Sequence, residues 1–200
     1  GNPSIPAPVS VKEAILELLK EPAESLHAYS PAPGDPKVRA VIAESLNRRF
    51  GESFTADHIF MTCGAAASLS ICLKALCNPG DEVITFAPFF TEYRCWVEAT
   101  GASLQVVPPR IPDFQIDTDV FEGMISPKTK AVIVNTPNNP SGVVYSEETV
   151  QRLSEILRRK SEEYGAPIYL ITDEPYREIV YDDIPVPYLT KYYENTLVCY

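Results

Sequence analysis

Short apolar runs alternate with amphipathic stretches along most of this chain, and that alternation sets the fold expectation. Strand-like runs fall at His58–Thr62, Glu82–Phe86, Ser103–Val107, Ala131–Asn135, Ile168–Thr172 and Thr196–Tyr200. Helical patterns lie between most of them. Val11–Lys20 places Ala14, Ile15, Leu18 and Leu19 on one face at helical spacing. Asp35 before Pro36 reads as a cap followed by proline at the first helical position, opening a helix to Phe50. Ala65–Cys77 is largely apolar and is expected to be buried on most sides. Ser146 opens a helix to about Glu162, with Glu147 and Glu148 near its positive end.

Strands and helices in alternation predict an α/β fold: a three-layer sandwich with a twisted, mostly parallel sheet between helical layers. Ile168-Tyr169-Leu170-Ile171 has no polar alternation, as a strand covered on both faces requires. Residues 1–33 are Pro-rich without strand signals and read as an arm crossing the surface. Residues 34–200 read as the main domain.

The polar residues that punctuate this pattern are concentrated just after apolar runs. Asn135-Thr136-Pro137-Asn138-Asn139-Pro140-Ser141-Gly142 follows one run, and Asp173-Glu174-Pro175-Tyr176-Arg177 follows another. In open α/β sheets the carboxyl ends of the strands are where ligands bind. Asn139, Asp173 and Tyr176 would bring an amide, a carboxylate and a phenol to one crevice, a set suited to an aromatic heterocycle with a ring nitrogen and a phenolic oxygen. Alone, the first segment is a common turn and Asp173 a common helix cap. Thr62-Cys63-Gly64-Ala65-Ala66-Ala67-Ser68 stands where a strand is expected to give way to a helix. Small residues there either pack a helix on a sheet or let an anion reach unpaired helix amides. A dinucleotide loop would need GxGxxG, and only Gly64 is glycine. Ala87-Pro88-Phe89-Phe90-Thr91-Glu92-Tyr93 follows a further run, where a Phe alone reads as core or loop packing and Phe89 is expected to point into the protein.

Composition narrows the classes. Two hundred residues with 45% hydrophobic content suffice for one globular core. Seventeen basic against 27 acidic side chains give a charge of -10, which repels nucleic acid. The Arg158-Arg159-Lys160 cluster reads as a solvated helix end, where cations suit the dipole. Glu174, Arg177, Asp182 and Asp183 read as solvated or supporting charges. Five cysteines without CxxC spacing read as reduced core residues of a cytoplasmic protein. His27 and His58 lack ligand-spaced partners, so no metal site is expected. No apolar run reaches the roughly 20 residues of a membrane span.

Taken in order, these motifs resemble the large, cofactor-binding domain of a fold-type I aminotransferase of the aspartate aminotransferase-like class I/II group. The resemblance covers nearly the whole chain and implies pyridoxal 5'-phosphate as cofactor. It implies transfer of an amino group from an amino acid to a 2-oxo acid in a homodimer. Asp173 matches the partner of the ring nitrogen, and Asn139 and Tyr176 the residues on the phenolic oxygen. Phe90 matches the stacking aromatic, and Gly64, Ala65 and Ala66 the phosphate loop. Tyr29 matches a tyrosine that reaches the partner subunit's phosphate, and Gly1 a glycine near the substrate carboxylate, where Asn139 also faces substrate. The family's cofactor-bearing lysine follows a further strand, so it is expected outside these residues, as is the carboxylate-binding arginine. Lys128, Lys130, Lys160 and Lys191 sit in expected turns, a polar loop and a helix end and are rejected for that role. The same contacts would serve a β-lyase, a decarboxylase, an aminocyclopropane-carboxylate synthase-like enzyme or a ligand-sensing regulator.

Overall fold

The computed structural model describes residues 4–200. The chain divides into two compact units, one ending at Met61 and one running from Thr62 to Tyr200.

In the first unit, α1 (Val9–Leu18) starts directly after Pro8, and none of its residues is buried. A short α2 (Ala23–Leu26) follows. Helix α3 (Pro36–Phe50) forms as its sequence signals require. Asp35 accepts hydrogen bonds from the amides of Lys37 and Val38, Pro36 sits at the start, and Gly51 closes the helix at φ 69°. The expected strand at His58–Thr62 does not form. Thr55 and His58 make a capping box around a 3-10 turn (Ala56–His58), which takes His58 out of the run, while Ile59 is extended but pairs with none of the strands.

The second unit holds a five-stranded parallel sheet in the order β2-β1-β3-β4-β5. The strands are β1 (Glu82–Phe86), β2 (Ser103–Val107), β3 (Thr129–Asn135), β4 (Tyr169–Asp173) and β5 (Thr196–Cys199). Alternate residues feed two separate cores. Ala131 and Ile133 of β3, with Val83 and Ile171, meet Leu69 and Leu73 of α4 (Ala65–Leu76) and Val97 of α5 (Glu92–Glu98). Val132 and Val134, with Ile84 and Leu170, meet Phe121 of α6 (Thr118–Met124) and Val150, Leu153 and Leu157 of α7 (Glu147–Tyr164). Helices on both faces explain why the central strands β1, β3 and β4 are apolar at successive positions through their middles.

Helices α5 and α6 were not evident from periodicity, since each spans only 7 residues, about two turns. Ser146 caps α7 through the Thr149 amide, and Gly165 ends it at φ 63°. Because α7 runs on to Tyr164, the Arg158–Lys160 cluster lies before the last turn rather than in it. These cations are ion-paired, Arg158 with Glu194, Arg159 with Glu122 and Lys160 with Glu163. Cys77 and Cys199 are buried, but Cys63 and Cys95 are exposed, so the cysteines are not uniformly core residues.

The strand order fixes where a ligand can enter. The chain passes from β1 outward to β2, then returns across to β3 on the other side of β1. Loops leaving the carboxyl ends of β1 and β3 therefore diverge, and a crevice opens at this switch point.

Candidate active site

The crevice is a cavity of about 180 Å³ lined by Ala65, Ala66, Phe90, Asn139, Asp173 and Tyr176, together with Leu69, Trp96 and Pro175. At about 30 Å³ per water it holds the volume of roughly six waters, the scale of one substituted aromatic ring. Six of the sequence-derived candidates thus meet in one place. Gly64 stands immediately before them as the N-cap of α4, at φ 84°. Tyr29 belongs to the first unit, where it is fully exposed. Gly1 lies outside the described residues.

Asp173 dominates the electrostatics. It is the last residue of β4, in register with Asn135 and Cys199, and only 6% exposed. Burial pushes its pKa above the ordinary carboxylate value, and the nearby Glu174 adds to the rise. A hydrogen bond from Tyr93 works in the opposite direction. The Tyr93 hydroxyl donates to Asp173 Oδ2 at 2.5 Å, while Oδ1 is buried without a hydrogen-bond partner. Tyr93 is itself buried, and burial together with the neighbouring carboxylate pushes its phenol up, so it remains a protonated donor. An isolated carboxylate oxygen in such a place is strongly disfavoured unless a cation or donor reaches it.

The other polar side chains of the lining are neutral. Asn139 Nδ2 lies 3.4 Å from the Tyr176 hydroxyl, so an amide and a phenol converge across the mouth. Phe90 packs edge-on against Tyr93 and tilted against Trp96, with ring centroids 5.8 and 6.0 Å apart. Phe89 stacks on Tyr93 instead and packs on the core. At the third side, Ala65 and Ala66 occupy the first turn of α4, where amides have no intrahelical acceptor.

Several residues that build the site escaped the sequence reading. Tyr93 carries a spacing signal, as the aromatic closing the Pro88-Phe89-Phe90-Thr91-Glu92-Tyr93 turn. Asn135 spans the two loops: its Nδ2 donates to the Asp173 carbonyl at 2.8 Å and its Oδ1 accepts from the Asn139 amide at 2.6 Å. Asp182 and Asp183 are exposed, but Glu174 and Arg177 are not solvated; they are 1% and 7% exposed and ion-paired to each other. Thr172 donates to Glu174 at 2.9 Å, and Arg177 donates to the carbonyls of Val186 and Pro187. None of the cavity-lining residues is a lysine. Among the described residues no cluster of His, Cys, Asp or Glu could hold a metal ion, and no helix is long and apolar enough to cross a membrane.

Known proteins are similar to this chain over most of its length. A probable aspartate/prephenate aminotransferase of Thermus aquaticus is 35% identical over 184 residues, 91% of this chain and 45% of the relative. Among solved structures, an amino transferase from Eubacterium rectale matches with a TM-score of 0.97 at 56% identity, covering 100% of this chain and 51% of that one. Thermus thermophilus aspartate aminotransferase with maleate matches with a TM-score of 0.88 at 32% identity, over 99% and 50% of the respective chains. The chain spans about half the length of these relatives. The sequence profile described as aminotransferase class I and II matches residues 1–200, and the chain belongs to that family.

Proposed function

We propose that the full-length protein is a pyridoxal-phosphate-dependent aminotransferase that moves an amino group from an amino acid to a 2-oxo acid. The observation that carries this reading is Asp173 Oδ1, a buried carboxylate oxygen with no partner on the wall of an aromatic-lined cavity. A protonated ring nitrogen would supply both the missing donor and the missing charge. When bound, pyridoxal phosphate provides an electron sink for the carbanion left after the α-proton departs.

The residues of this chain then divide the work. Asp173 would hold a proton on the ring nitrogen through Oδ1, while Tyr93 occupies Oδ2 and fixes the carboxylate's orientation. Asn139 and Tyr176 turn their donors toward the phenolic oxygen, and Asn139 also borders the substrate. Phe90 covers one ring face. The amides of Ala65 and Ala66, reached through the open turn at Gly64, receive the phosphate. The covalently binding lysine and the carboxylate-binding arginine are assigned to residues outside these 200, and Gly1 to the neighbourhood of the substrate carboxylate. The names of the relatives make a dicarboxylic amino donor such as aspartate the first to try. The setting proposed is cytoplasmic.

Replacing Asp173 by Ala in the full-length protein should lower turnover by about 10²–10³-fold, the scale of losing one preorganised electrostatic partner. Near-normal transaminase rates in that variant would overturn the assignment.

The working unit proposed is a homodimer in which Tyr29 reaches the partner's phosphate. Mixing Tyr29→Phe and Asp173→Ala chains should then restore one intact site and raise activity above either parent. A fully active monomer in sedimentation excludes this arrangement.

A further inference from the structure

Asn135 and Asp173 form the last register pair between β3 and β4. Past this pair the two backbones separate, one into the 136–142 loop and one into the 174–177 turn. The buried Asn135 side chain continues the ladder where the backbone stops. It meets a carbonyl on one side and an N–H on the other, so the orientation of its amide is fixed: Nδ2 toward Asp173 O, Oδ1 toward Asn139 N. Aspartate offers two acceptors and leucine none.

Each bonded group belongs to a residue whose side chain lines the cavity, Asp173 with its unpartnered Oδ1 and Asn139 with its amide beside Tyr176. We propose that Asn135 is a positioning residue that sets these two side chains relative to each other. A ring held between them then meets a donor at its oxygen and a carboxylate at its nitrogen in one fixed geometry. The catalytic consequence rests on the aminotransferase reading, whereas the linkage between the loops does not. Misplacement of a reacting group by about 1 Å can lower a rate about 10²-fold, so a link of this kind has kinetic weight.

The test uses full-length protein with Asn135→Leu, which keeps most of the packing volume, and Asn135→Ser as a second variant. In cofactor-free protein, hydrogen exchange at the Asn139 amide should accelerate at least about tenfold. Amides of β2 should be unchanged. In the cofactor-loaded enzyme, kcat should fall more than KM changes, and the pH titration of the cofactor's absorbance should shift. Adding Asn139→Ala should then cost less than it does in the wild type, because both changes loosen the same group.

Unchanged exchange at Asn139 overturns the linkage. Faster exchange with an unchanged titration and kcat overturns the positioning role. Loss of fold in both variants also overturns it, leaving Asn135 a stability residue. Failure of the wild-type protein to bind pyridoxal phosphate defeats the functional reading alone, while the exchange experiment still decides the linkage.

Discussion

At one end of the cavity the 62–68 segment presents the first turn of α4 through Ala65 and Ala66; at the other stands the 173–177 segment, with Asp173 buried and Tyr176 half-buried in the lining. The first end has Gly64 and three alanines, and its polar side chains turn toward each other, with Thr62 Oγ1 2.6 Å from Ser68 Oγ. The second end buries Asp173, Glu174 and Arg177 and bonds the last two to Thr172 and to carbonyls 9 and 10 residues along the chain from Arg177. The difference follows from what each end must do. An anion that is always charged needs only amides in fixed positions, and any small residue supplies those. Holding a proton at a chosen place needs a buried carboxylate, and such a group persists only inside a network that satisfies its neighbours. One end should therefore tolerate side-chain changes but not the loss of an N–H, and the other the reverse.

The largest expected effect lies at the second end. Glu174→Ala removes the carboxylate that the buried Arg177 guanidinium bonds, which should destabilise the fold by about 3–5 kcal/mol. Chemical denaturation measures this directly. Ala66→Ser at the exposed first end should shift the same transition by less than about 0.5 kcal/mol. Equal losses at the two ends would break the contrast.

The next effect is on binding and comes from the first end. Ala65 is the first residue of α4, a position where proline fits a helix while removing the N–H. Ala65→Pro should leave the fold intact and weaken pyridoxal phosphate by about tenfold or more, as expected from losing a hydrogen bond to a charged group worth about 1.5–3 kcal/mol. Titration of the full-length protein with the cofactor reads the change. An unaltered dissociation constant would remove the phosphate from this end.

The same contrast governs how much was legible in the sequence. Asn139, Asp173, Tyr176 and Phe90 stand out as polar or aromatic residues directly after apolar runs, and the structure gathers them into one cavity. The parallel sheet was legible because its strands lack polar alternation. What failed depended on partners distant in sequence. Tyr93 meets a carboxylate 80 positions away, and Asn135 meets a carbonyl 38 positions away, so neither role leaves a local pattern. Glu174 and Arg177 look like surface charges until the chain returns with Val186 and Pro187 to cover them. At His58–Thr62 the error was local instead. An apolar run resembles a strand, but the Thr55–His58 side-chain bonds hold its first residue in a 3-10 turn, and none of the five strands pairs with the rest.

The smallest expected effect concerns pH and distinguishes a strained carboxylate from a merely buried one. Burial raises the native pKa of Asp173 above its ordinary value of 3.8, so the folded, cofactor-free protein holds that proton more tightly than the unfolded chain does. The corresponding stability is fully present below the ordinary value and is lost as pH rises through the raised one. Its slope is at most about 1.4 kcal/mol per pH unit for one proton. Asp173→Asn should abolish this falling limb, seen as a pH-dependent difference between the two unfolding curves. Tyr93→Phe removes the hydrogen bond that opposes the rise, and should carry the limb to higher pH. A difference that stays flat across the range would mean that Asp173 is already satisfied without a ligand, and its unpartnered oxygen would lose its force as the mark of the site.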